Sequence, residues 1–203
     1  ILLAAGAKVD GIATEGTTPL MLATSKGDLA IVRLLIAAHA DVNRRGPRQT
    51  TALHEAVVVN KAPIVIALLG AHADPNLVRS DSETPLMLAA RAGSEPIVRM
   101  LIGAGASVDA ADALGRRALS YAAEAGQAPV VAILLQYRAL ANARDREGMT
   151  ALAYAAGGGH KAALLTLLNA GADPNLASRR GNTPLILSAE QGQFEATRLL
   201  IGA

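Results

Sequence analysis

The sequence predicts an all-α-rich repeat solenoid, read as a single array over residues 1–203. Three observations predict it. First, one phrase recurs. Gly16-Thr17-Thr18-Pro19-Leu20 and Gly181-Asn182-Thr183-Pro184-Leu185 are near-copies, and Ser82-Glu83-Thr84-Pro85-Leu86 is close to both. Thr50-Thr51-Ala52-Leu53, Gly115-Arg116-Arg117-Ala118-Leu119 and Gly148-Met149-Thr150-Ala151-Leu152 are softened versions. Second, the anchors Thr18, Thr51, Thr84, Arg117, Thr150 and Thr183 are each 33 residues apart with no insertion. A fixed period of that size signals stacked units, each burying an apolar face on the next. Third, 51% of the chain is apolar but only 2% aromatic, a composition suited to close packing of short helices on Ala, Leu, Ile and Val.

Within the period each element has a physical reason. Thr followed by Pro starts a first helix, because the hydroxyl accepts from free amide groups and Pro is tolerated at the first helical position. A Gly column (Gly27, Gly93, Gly126, Gly159, Gly192) ends that helix where a left-handed residue is needed, and Asn60 fills the same column once. A longer second helix follows a polar residue, often with Pro near its start (Pro63, Pro96, Pro129). Its apolar pattern, for example Ile31, Val32, Leu34, Leu35 and Ile36, leaves Arg33 on the wet side. The closing phrases Asp41-Val42-Asn43, Asp74-Pro75-Asn76 and Asp173-Pro174-Asn175 are turn chemistry leading into an extended hairpin. The expected units are about 11–43, 44–76, 77–109, 110–142, 143–175 and a truncated 176–203, with 1–10 finishing a preceding unit. The chain opens inside a second helix at Ile1-Leu2-Leu3 and stops inside another at Leu199–Ala203. Neither end has the polar outer face of a terminal repeat, so an internal piece of a longer array is expected.

These residues resemble the ankyrin repeat family over the whole chain. Its T-P-L-H-x-A signature is matched with variations at Thr18–Ala23, Thr51–Ala56, Thr84–Ala89 and Thr183–Leu187 plus Ala189. The signature His survives only as His54; Met21, Met87, Ser120, Ala153 and Ile186 stand elsewhere, so its polar tie is expected to be missing in those units. The resemblance implies stacked helix-turn-helix units with a β-hairpin or loop, curved with a concave face. The unit over 110–142 departs most. Arg117 replaces the capping Thr, at a cost of about 1 kcal/mol, Arg138 replaces a turn Gly, and Leu140 replaces the Asp. Two readings stay open: an unstable seam, which hydrogen exchange would show as the least protected interior unit, or a unit adapted to a partner.

No chemistry is legible. The absence of cysteine excludes disulfides and thiolate metal sites. His39 and His72 occupy the Gly place of successive turns, too far apart to share a metal at ~2 Å bond lengths. Gly157-Gly158-Gly159-His160-Lys161 lacks the spacing of a phosphate loop and no strand precedes it. Neither a catalytic residue, a cofactor, a metal nor a small-molecule substrate is expected. Apolar runs of about ten residues are too short to span a bilayer, and no basic leader opens the chain, so a cytoplasmic, monomeric array is expected.

The resemblance places binding on the hairpin tips and on the concave face of the first helices, with another protein as partner. By register this gives Arg45, Arg48, Arg116, Arg146, Met149, Arg179 and Arg180 on the hairpins, and Leu88, Arg91, Tyr121, Glu124 and Tyr154 in the groove. Tyr121 and Tyr154 share one column in a chain with three Tyr and one Phe, and Tyr and Arg are enriched at binding hot spots. The alternative is that each ring covers helix surface with its hydroxyl in water. The Arg-rich edge reads either as a mixed solvated surface, interrupted by Asp81, Glu83, Asp145 and Glu147, or as a site for an acidic partner. The net charge of +2 and the lack of a continuous basic stripe argue against nucleic acid. A regulatory or anchoring segment of a larger enzyme or channel is the competing functional reading.

Overall fold

The computed structural model describes residues 8–13 and 16–203. The helix expected at Ile1–Leu3 and the hairpin positions Thr14 and Glu15 lie outside them. Twelve α-helices run through the described residues as successive pairs. The first helices are α1 (Pro19–Ser25), α3 (Ala52–Val58), α5 (Pro85–Ala92), α7 (Ala118–Glu124), α9 (Ala151–Gly157) and α11 (Pro184–Glu190). The second are α2 (Leu29–Ala37), α4 (Ala62–Gly70), α6 (Glu95–Gly103), α8 (Ala128–Gln136), α10 (Lys161–Asn169) and α12 (Phe194–Ile201). Odd helices stack on odd and even on even, giving two layers. Contact is most extensive in the odd layer, between α5 and α7. The core between the layers is one continuous cluster, from Leu20 and Val32 through Leu53, Leu86, Leu101, Leu134 and Leu152 to Leu200.

The caps follow the chemistry expected. Thr18, Thr51, Thr84, Thr150 and Thr183 accept from the amides of Met21, His54, Met87, Ala153 and Ile186 at 3.2, 3.5, 3.3, 3.2 and 3.3 Å. His54 Nδ1 returns the favour, accepting from the Thr51 amide at 3.2 Å. The tie expected only there has a weaker second copy, because the Met87 sulfur accepts from the Thr84 amide at 3.4 Å. Arg117 makes no side-chain cap. Its guanidinium instead reaches the carbonyls of Gly115 and Arg144, both at 3.4 Å, tying its own hairpin to the next one.

Asn60 and the Gly column adopt positive φ, with 52° at Asn60 and 73° at Gly93. A second demand acts at Gly93: a Cβ there would come within 2.3 Å of Gln127 Oε1 on the following unit. His39, His72 and Arg138 also take positive φ, at 62°, 64° and 63°, where Gly105 and Gly171 stand in other copies. The two histidines are exposed turn residues.

The expected β-hairpins carry no strand among the described residues. Each closes at once into a tight turn, as when Arg79 N–H donates to Glu83 O at 3.0 Å and Ser82 N–H to Arg79 O at 2.9 Å, so no ladder extends. Neighbouring turns are joined by single backbone bonds: Ser80 to Arg48 O (2.8 Å), Arg146 to Leu114 O (2.9 Å) and Arg179 to Glu147 O (2.8 Å).

The closing Asp-x-Asn phrase does more than turn the chain. Asp74 Oδ1 accepts from the Asn76 amide two residues on, at 2.8 Å. The Asn crosses to the next unit: Asn76 donates to Gly105 O (3.0 Å) and accepts from the Ser107 amide (2.8 Å). Asn43 and Asn142 make the same pair of bonds. Asp109, in that column, only accepts, from the Leu140 amide at 3.1 Å, because a carboxylate has no N–H to donate.

Candidate functional site

The inner face is built from the exposed edges of the odd helices and the hairpins beside them. Its central part is an alternating row of cations and rings. The Arg91 guanidinium lies 5.0 Å from the Tyr121 ring centroid; Arg116 lies 4.2 Å from Tyr121 and 4.8 Å from Tyr154, between the two rings. Each stack favours a cation over the electron-rich ring face. Carboxylates complete the row. Glu83 accepts from Arg91 at 2.9 and 3.2 Å and from Arg79 at 3.1 Å, and Glu124 pairs with Arg116.

Both Tyr hydroxyls are internally bonded. Tyr121 O–H donates to Asp112 Oδ2 and Tyr154 O–H to Asp145 Oδ2, each at 2.6 Å. Asp112 also accepts from the Leu114 and Arg116 amides, both at 2.8 Å, and Asp145 from Glu147 (2.9 Å) and Met149 (2.8 Å). Each Asp therefore folds its own hairpin and pins the Tyr nine residues later. Burial, reinforced by these carboxylate bonds, pushes both phenols far above their usual range, so they stay protonated donors.

The candidate residues therefore sort by exposure. Leu88 and Tyr121, expected at the groove surface, are buried at 6% and 5% exposure: α5 and α7 make the closest approach of the inner layer, and Arg91 and Arg116 cover the Tyr121 ring. The reading with the Tyr hydroxyl in water is also replaced, since both find Asp. Tyr154, Arg116 and Met149 are partly buried. Arg91 and Glu124 are exposed but engaged in ion pairs. Arg45, Arg48, Arg146, Arg179 and Arg180 are exposed; Arg45 donates to Gln49 Oε1 at 3.0 Å, and Arg48 sits at a tip with φ 55°.

Toward α1 and α3 the groove deepens into a cavity of about 420 Å³, lined by Met21, Ser25, Arg48, His54, Glu55 and Val58 among others. His54 is fully buried and its pKa falls to about 4. Burial is the main cause and the charges of Arg79 and Arg45 add to it. The Glu83 carbonyl works the other way without reaching hydrogen-bond geometry. Burial also raises the Glu55 carboxyl, against the pull of Arg79. Among the described residues no group of His, Asp and Glu is arranged to hold a metal, and no helix is long and apolar enough to cross a membrane.

A family model described as ankyrin repeats (3 copies) matches residues 1–79, 53–145 and 139–203. The chain belongs to the ankyrin repeat family. A search of curated proteins returns no match. Ankyrin repeats are generally protein–protein interaction modules and generally non-catalytic. Glu83 and the Tyr–Asp pairs were not legible as a unit in single columns. The signal lay in two columns taken together: Asp112 with Tyr121 and Asp145 with Tyr154 occur in the same two units, whereas Arg79 with Leu88 and Ser178 with Leu187 show that the pair is absent when either member is.

Proposed function

We propose that this ankyrin array is a non-catalytic binding module that holds a partner protein against its hairpin edge and inner groove. One observation carries the reading. Columns that pack or cap repeat their residues, while the inner column varies from unit to unit: Ser25, Val58, Arg91, Glu124 and Glu190 are exposed and Gly157 is partly buried. Those side chains contribute little to the core and are presented on a surface already ordered by internal bonds. A preformed surface loses little conformational freedom when it binds.

The test compares proteins retained by the wild type, by the groove variant Val58→Asp/Glu190→Lys, and by an outer-layer variant Arg33→Glu/Arg99→Glu, all four positions being exposed. Proteins kept by the wild type and the outer-layer variant but lost from the groove variant support the reading. Equal retention by all three, or loss only from the outer-layer variant, refutes it.

A further inference from the structure

We propose that the hairpin edge beside α9 and α11 binds a carboxylate-rich peptide segment, seating one apolar side chain of that segment between Met149 and Leu187. The inference rests on the protein-binding reading above and adds the partner's chemistry.

The charge argument comes first. Arg146, Arg179 and Arg180 are exposed on two adjacent hairpins, and none has a side-chain partner among the described residues. The ion pairs lie elsewhere, using Arg79, Arg91 and Arg116 on the inner face and Lys161 and Arg198 on the outer helices. In sequence, Asp145 and Glu147 interrupt this edge. In the structure the Asp145 oxygens are occupied by the amides of Glu147 and Met149 and by the Tyr154 hydroxyl. Glu147 is left as the exposed carboxylate of these hairpins. The edge thus carries three unmatched guanidinium groups against one carboxylate, and a guanidinium fork pairs two-pronged with carboxylates.

The second argument is rigidity. Arg179 N–H donates to Glu147 O at 2.8 Å, joining the two tips. Arg144 Nε donates to Gly148 O at 3.2 Å and another of its nitrogens to Ala177 O, so a fourth cation is used as a clamp between the hairpins. The three free guanidinium groups therefore spring from a fixed frame.

The third is the cavity beside them, about 260 Å³, walled by Met149 and Leu187 and rimmed by Arg180, Glu147, Ser178 and Asn182. An apolar slot next to a free Arg selects a segment in which an apolar residue neighbours an acidic one. Nucleic acid fits less well. Sequence-tolerant single-strand binding uses exposed aromatic platforms, and Tyr154, the aromatic closest in register, has its ring under Arg116 and its hydroxyl on Asp145.

The experiment is fluorescence anisotropy with three labelled probes: a peptide alternating Glu and Leu, the same peptide with Gln for Glu, and an oligothymidylate. Each is titrated with the wild-type chain and with Arg146→Glu/Arg179→Glu/Arg180→Glu, at about 50 and about 300 mM salt. The Glu–Leu peptide should bind about tenfold more tightly than its Gln counterpart, lose about tenfold with the triple variant, and weaken with salt, since three exposed ion pairs act together. A Leu187→Ser variant should weaken the same peptide while leaving its salt dependence unchanged. Equal binding of the Gln peptide, an unaffected triple variant, or tighter binding of the oligothymidylate would overturn the proposal. A partner retained by the triple variant but lost from the groove variant would sink this inference alone; one retained by both would sink the binding reading too.

Discussion

Tyr121→Phe removes one oxygen from the centre of the inner face and nothing else. The ring stays between Arg91 and Arg116, so both cation–ring contacts survive. What is lost is a 2.6 Å hydrogen bond to Asp112 Oδ2, with donor and acceptor 5% and 8% exposed. A bond to a charged group nets about 1.5–3 kcal/mol. Asp112 keeps two amide donors, at 2.8 Å each, so its charge is not stranded and the loss falls at the low end, about 1.5 kcal/mol. For a chain of this length that lowers the unfolding midpoint by about 3–6 °C. Urea and thermal unfolding followed by circular dichroism measure it, with Tyr137→Phe as control, because Tyr137 is 45% exposed and its hydroxyl has no bonded partner among the described residues. If Tyr121→Phe unfolds within 0.5 kcal/mol of that control, the bond carries no net stability and the account of this row is wrong. Truncation to Ala is the poorer probe: emptying a buried aromatic site costs about 3–5 kcal/mol, and any loss of binding would then report loss of fold.

Two further perturbations test the scaffold. Arg117→Thr should stabilise the chain relative to Arg117→Ala by about 1 kcal/mol, since both lose the two 3.4 Å guanidinium bonds and only Thr restores a cap on α7; equal unfolding midpoints would refute the missing-cap argument. His54 sets a pH dependence with a definite sign. Its folded pKa of about 4 lies below the ordinary 6.5, so the unfolded chain binds the proton more readily. Its contribution is complete above about pH 6.5, declines as pH falls toward 4 and is flat below, totalling about 3 kcal/mol. Urea unfolding at pH 7.5, 6 and 5 checks this against His54→Met, which keeps the weaker sulfur tie seen at Met87 and should flatten the slope; an unchanged slope in that variant assigns the effect to other groups.

The helical scaffold was legible because its causes are local. Thr capping, a left-handed Gly and an apolar stripe each act within one unit, and repetition at a fixed spacing averages away the noise of any single copy. The same locality explains what stayed hidden. Asn76 read as a turn residue since its partners, Gly105 and Ser107, are 29 and 31 residues away. Tyr121 read as a surface ring because the family resemblance puts its column in the groove; Leu22 in that column is indeed 50% accessible, but the close approach of α5 to α7 and the two covering guanidinium groups submerge Tyr121. Arg117 read only as a lost cap, yet its guanidinium, like that of Arg144, ends on backbone oxygens of its own and the neighbouring hairpin. A residue type says which bonds it can make. Which ones it makes depends on units a full period away.

The Asn column also gives the array a mechanical grain. Its bonds run along the axis of the stack, linking each closing turn to the next, so a pull on the two ends loads them in series. Asn43, Asn76 and Asn142 each both donate and accept across the turns, whereas Asp10 and Asp109 only accept, from the Asp41 and Leu140 amides. The uncapped helix α7 lies just beyond the Asp109 link. Under a pull from the two ends, the turns at Asp109 and Leu140 therefore share less bonding than the Asn-linked turns, and there the load passes to the close α5–α7 contact and the Arg91–Tyr121 stack.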